Sequence, residues 1–153
     1  MGILSVSGFS KQQVVNALGD KANNFYEGAW CAMTAVSLSK IDGRNAYMSQ
    51  SGLVLDQIKY AQNHGTFDYS KNGGMAVGDL LMCQPSSVAG GAYTGSKSGW
   101  SHIVTVTAVN GDSVTISHGN YGNKFVQETI SASEAARRYP AMSRIGKYST
   151  CNK

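Results

Sequence analysis

Apolar positions in the first 65 residues recur at helical spacing, and beyond residue 75 they alternate, so the pattern predicts helices followed by strands. Val14, Leu18, Ala22 and Phe25 fall on one helical face. Ser10-Lys-Gln-Gln13 just before them is a capping box, with Phe9 and Val14 placed as a hydrophobic staple, and this helix should end near Tyr26. After Gly28, Trp30 to Leu38 reads as a short second helix with Ala32, Ala35 and Val36 turned inward. A polar turn follows at Ile41-Asp-Gly-Arg-Asn45. A third helix starts around Ser49 to Ser51, presents Val54, Ile58 and Ala61, and stops at Gly65. His64 sits where the end of the helix dipole favours a cation, which gives that histidine a structural explanation.

The strand-like half opens with a turn at Asn72-Gly-Gly74 and a strand from Met75 to Gln84, with Gly78-Asp79 near its start. Pro85 to Gly99 is a long Gly/Ser-rich loop, a length that usually goes with function or disorder. Ser101 to Val109 and Ser113 to His118 are strands joined at Asn110-Gly-Asp112, and Lys124 to Ile130 is another. Ser131-Ala-Ser-Glu134 opens a short helix that Pro140 closes, and Met142 to Tyr148 is the expected last strand.

The hairpin decides where its polar residues point. His102, Val104, Val106 and Ala108 alternate onto one face, as do Val114, Ile116, His118 and Asn120. A three-residue loop over Asn110 to Asp112 pairs 109 with 113 and sets Val106 against Ile116, Val104 against His118 and His102 against Asn120. One face then runs from an apolar core into a cluster of two histidines and an asparagine. A slip of one residue would bury the wrong face throughout.

With 42% hydrophobic and 14% charged residues in 153, the chain has the composition of a single globular domain able to bury a core. The helical part covers about 9–65 and the β-rich part about 75–148. No apolar run approaches the roughly 20 residues of a membrane span. The N-terminus lacks the pattern of a signal peptide or a myristoylation site. The net charge is +4, but the 13 Lys and Arg are scattered rather than gathered in a stripe with aromatics, which argues against nucleic acid.

Cys31 changes this picture. It stands in the first turn of the predicted second helix, where free N–H groups and the helix dipole favour a thiolate, the nucleophilic form. A helix-start cysteine, then a histidine at a strand start, then a polar residue on the next strand is the order of papain-like catalysis. Cysteine attacks, histidine takes and returns the proton, and a third group orients the ring.

In Ala29-Trp-Cys-Ala32, Val77-Gly-Asp-Leu80, Ser101-His-Ile-Val104 and Ile116-Ser-His-Gly-Asn120, taken in order, the chain resembles the CHAP and NlpC-type cysteine peptidases and amidases of bacterial cell walls. The matching stretches cover roughly residues 9 to 130. The resemblance implies an α+β, papain-like fold with N-terminal helices on an antiparallel sheet or half-barrel. It casts Cys31 as nucleophile, His102 as general base, and His118 and Asn120 as the polar residues of the next strand. There are two departures: Ser101 stands where the family usually has Gly, and His118 where CHAP members carry an acid. The implied activity is cleavage of amide bonds in peptidoglycan stem peptides without a cofactor. The missing signal-peptide pattern fits delivery to a target cell's periplasm by other machinery, as a type VI secretion effector or a phage lysin component, with secretion machinery or an immunity protein as candidate partners. The same site would also serve a protein-directed deamidase or transglutaminase-like toxin, or survive in an inactive binding module.

Two matters stay open. Cys83 and Cys151 could pair as a disulfide if the protein works in an oxidising space, or remain two unrelated thiols. Cys31, His102 and His118 lack the fourth ligand or C-x-x-C pair that a zinc site of this kind would want.

Overall fold

A computed structural model of the chain describes residues 31–50, 54–83, 102–121 and 124–149, with the side chains of Leu55, Asn120, Tyr121, Lys124 and Phe125 left out. The predicted helix over Val14 to Phe25, the loop over 85–99, Ser101 and Cys151 lie outside the described residues. The fold is α+β. Helices α1 (Cys31–Ile41), α2 (Val54–His64) and α3 (Ala132–Arg138) surround strands β1 (Phe67–Tyr69), β2 (Leu80–Cys83), β3 (His102–Asn110), β4 (Ser113–Tyr121), β5 (Lys124–Ser131) and β6 (Ala141–Ser143). The six strands form one antiparallel sheet in the order β1-β6-β2-β3-β4-β5. Here α3 carries the chain from the β5 edge back across the sheet, which lets the last strand enter between β1 and β2.

The strand alternation sorts the core into two layers. Leu80, Met82, Ile103 and Ala141 join Ala32, Ala35, Val36, Val54 and Ile58 of α1 and α2. Leu81, Val104, Val106, Val114, Ile116 and Met142 turn the other way, against Ala135 and Tyr139 at α3. Helix α2 matches its sequence expectation: Val54, Ile58 and Ala61 are buried and Gly65 ends it at φ +75°. His64 Nδ1 lies 2.8 Å from the Tyr60 carbonyl and its ring stacks on Tyr60, in keeping with the structural role read for it. Helix α1 departs from the one-sided pattern, being buried on every side from Cys31 to Ser39. Small residues make that tolerable: Ala32 and Ala35 let the sheet approach, and the Ser39 hydroxyl donates to the Val36 carbonyl.

Three strand expectations need correction. The strand expected over Met75 to Gln84 shortens to β2, because Gly78 (φ +98°) turns the chain and the buried Asp79 ties the turn down. Its carboxylate accepts from the amides of Ala76 at 2.9 Å and Gly146 at 2.7 Å. That second bond also ends the last strand early, so that Ile145–Tyr148 forms a 3₁₀ turn instead of extending β6. Strand β1, only three residues long, was not predicted at all.

The hairpin reaches the expected face by a different route. Asn110 pairs with Ser113 around Gly111 (φ +61°) and Asp112, a two-residue turn. A bulge between Val106 and Ala108 then absorbs one residue. Beyond it Val106 faces Ile116 and Val104 faces His118, as the three-residue loop had required.

Candidate active site

Strand β3 begins at His102, and its ring reaches His118 of β4: Nε2 of His102 lies 2.9 Å from Nδ1 of His118. The register makes this a diagonal contact, since His118 stands directly opposite Val104. Diagonal neighbours on one face of an antiparallel pair are within reach of long or aromatic side chains. His118 is fully buried, and Tyr139, at the end of α3, places its ring 6.2 Å from both imidazoles, centroid to centroid. Burial lowers both histidines, His102 to about 4, with the neighbouring His118 adding to the effect. Both rings are therefore neutral near neutral pH, and each carries one proton and one bare nitrogen.

Cys31 opens α1 as described and is 5% exposed. The backbone N–H groups of Ile103, Ala32 and Cys31 itself are hydrogen-bonded toward its sulfur and favour the thiolate, as the helix-start position predicted. Burial outweighs them and raises the thiol above its ordinary value, so the expectation of a resting thiolate is corrected by desolvation. The Ile103 amide puts the sulfur one residue along β3 from His102. Cys31 belongs to the layer under α1, however, whereas His102 and His118 face α3.

Cys83 is directly opposite His102 in the β2–β3 ladder and shares its face. It is a free, buried thiol pushed up to about 11, by burial first and by Cys31 nearby. Cys151, the partner that the sequence left open for it, lies outside the described residues. Asn120 lies in β4 two residues beyond His118. Among the described residues no three His, Cys, Asp or Glu side chains gather as metal ligands.

Two members of this cluster were missed. Glu128 of β5 places Oε2 3.0 Å from Nε2 of His118, again one diagonal step across the sheet, since its direct partner is Ile116. Its other oxygen, Oε1, accepts from Arg138 at 2.7 Å, and Arg138 also donates to Glu134 at 2.8 Å. Burial pushes the Glu128 carboxyl up, but the bonds and charges of Arg138 and His118 together hold it below the usual range. A signal for it existed: Val126, Glu128 and Ile130 alternate onto one face, and a lone acid between two apolar residues on a core-facing side is worth a partner search. The side chains therefore form one line from His102 through His118 and Glu128 to Arg138. The line ends at His102, one residue along β3 from the Ile103 amide that meets the Cys31 sulfur.

The fold is that of an α+β protein with a cysteine on a helix and a histidine pair on an antiparallel sheet. No family model and no curated protein matches the chain. Among solved structures it is similar to Ly7917, both alone and in the crystal structure with the hydrolyzing product of MDP. Each matches with a TM-score of 0.51 at 19% identity, over 86% of this chain and 62% of that one. The likeness is one of fold, and the chain spans less than two thirds of Ly7917's length. No helix among the described residues is long and apolar enough to cross a membrane.

Proposed function

We propose that the chain is a papain-like cysteine hydrolase, of the CHAP or NlpC kind, that cleaves amide bonds in the peptide stems of peptidoglycan. The observation carrying this reading is the hydrogen-bonded His102–His118 pair at the start of β3, one residue from the amide that meets the Cys31 sulfur. Support for the substrate comes from the fold's likeness to Ly7917, whose crystal structure was solved with the hydrolyzing product of MDP. In this mechanism the Cys31 thiol gives its proton to His102 as the sulfur attacks the amide carbonyl. His102 returns that proton to the leaving amine and a thioester forms. Water then loses a proton to His102, attacks the thioester and releases the acid, restoring the thiol. His118 and Asn120 orient the base. The wall as target places the work in the periplasm of a target cell, after delivery as a secretion effector or lysin.

The test is digestion of purified peptidoglycan with the fragments identified by mass spectrometry. The wild type should release cleaved stems, and Cys31→Ala should fall by about 10³-fold or more while keeping its circular dichroism spectrum. Digestion surviving in Cys31→Ala would overturn the reading.

A further inference from the structure

The acid of this site stands one strand further out than the position next to the base, and it acts through a second imidazole. We propose that Glu128, gripped by Arg138, fixes the proton positions on both histidines along one hydrogen-bonded line and so leaves Nδ1 of His102 bare to act as the base. The argument is one of donor counting. An ionised carboxylate only accepts, so Nε2 of His118 must carry the proton that meets Glu128 at 3.0 Å. A neutral His118 then has a bare Nδ1, which can only accept at 2.9 Å from Nε2–H of His102. A neutral His102 with its proton on Nε2 has Nδ1 free of a proton.

Each condition has its own physical cause. Arg138 holds Glu128 at 2.7 Å and is itself held at 2.8 Å by Glu134, whose own amide donates to the Ser131 side chain at the start of α3. The carboxylate therefore stays charged and aimed. Burial keeps both rings neutral, so neither can become a donor at both nitrogens. The line crosses three adjacent strands by two equal diagonal steps, which makes it a product of the β3–β4–β5 register rather than of one flexible side chain. Glu128 is a positioning residue in this scheme. Its effect on rate rests on the proposed cysteine hydrolase, but its effect on the protons does not.

The experiment reads the protons directly. Long-range proton–nitrogen correlation spectra of the 15N-labelled chain at neutral pH distinguish the two neutral tautomers and the charged ring; His64→Gln removes the third histidine's signals for assignment. His102 and His118 should both show Nε2–H with bare Nδ1. In Glu128→Gln the Arg138 guanidinium keeps the amide oxygen, so the amide NH2 faces His118 and both rings should invert to Nδ1–H. Then kcat/KM should drop by about 10–10²-fold with KM little changed, a smaller loss than the ~10⁴ caused by a wrong tautomer in the serine protease triad, because one more ring intervenes. A proton on Nδ1 of His118 in the wild type, or unchanged tautomers in a folded Glu128→Gln, would overturn the proposal. Should that variant not fold, the wild-type spectrum decides alone. Correct tautomers in a protein that leaves peptidoglycan intact would sustain the line and sink the hydrolase; the reverse pattern would do the opposite.

Discussion

A buried thiol raised above 9.0 and an imidazole lowered to about 4 cannot rest as an ion pair, and this can be measured. Moving the proton from Cys31 to His102 in the free protein goes uphill by at least about five pH units, or about 7 kcal/mol. Mutual attraction recovers part of it. Two charges as close as about 4 Å at an effective dielectric of about 20 would gain about 4 kcal/mol. That leaves roughly 3 kcal/mol, so the neutral pair should exceed the ion pair by ~10². The assay is the rate of alkylation by iodoacetamide against pH, together with ultraviolet thiolate absorbance. Both should stay low through neutral pH and rise only in the alkaline range, with no plateau at acid pH. Replacing His102 by Ala should leave the alkylation profile nearly unchanged, since in this state the ring does not hold the thiol's proton. A thiolate signal already present in mildly acidic buffer, giving an apparent thiol pKa below about 8, would refute the reasoning.

The two histidines should not be equivalent. His102→Ala should bring kcat/KM on a defined muropeptide to background, while His118→Gln retains measurable activity, and the reverse order would show the base misassigned. Gly146→Ala should lower stability by about 2–3 kcal/mol, because its new Cβ would come 2.5 Å from the Asp79 carboxylate and 2.7 Å from the Val77 carbonyl; a melting temperature within about 2 °C of wild type would contradict this. Acid should act on two buried groups in opposite senses. His102, lowered from 6.5 to about 4, contributes stability that is complete above 6.5 and is lost as pH falls toward 4. Asp79, raised from 3.8 to about 6 mainly by burial, contributes stability that is complete below 3.8 and is lost as pH rises through 6. Because His118 is lowered as well, the test is a difference: the stability of the wild type relative to Asp79→Asn, from chemical denaturation, should rise on acidification from 6 toward 3.8, and a difference that falls or stays flat would mean the Asp79 assignment is wrong.

The parts of the fold legible in the sequence were those governed by periodicity. Val54, Ile58 and Ala61 announced α2, and the alternation through Val104, Val106, Val114 and Ile116 announced the central hairpin and its inward face. His102 and His118 came with it, since a strand's face is set by every second residue. The hairpin turn was misread for a physical reason: one residue can be absorbed at the loop or at a bulge, and periodicity alone does not say which. The Asp79–Gly146 bond that shortens β2 and β6 joins residues 67 apart, and no local pattern reports it. The state of Cys31 was misread likewise. Its helix position and its amides argued for a thiolate, but the sequence held no measure of how deeply the sulfur would be buried. Glu128 was legible only as an acid on an apolar face, and its partner Arg138 lies on a different element.

The misreading of Cys31 bears on how such a site would work. Local features of the chain favour charge: a helix start, three amides, a carboxylate. The packing opposes charge at rest by taking the sulfur and both rings out of water. Groups arranged for a charge that the resting state does not carry give little to the ground state and act as the charge develops, which is the condition for lowering a barrier rather than tightening binding. Here the Ile103, Ala32 and Cys31 amides are already aimed at the sulfur, and Glu128 with Arg138 already holds the histidine line, before any proton moves. A site built this way needs a substrate to displace water and bring its carbonyl to the thiol before the proton leaves Cys31. Its selectivity would then rest on what can dock at the β3 end of the sheet, rather than on a standing thiolate able to attack any electrophile that reaches it.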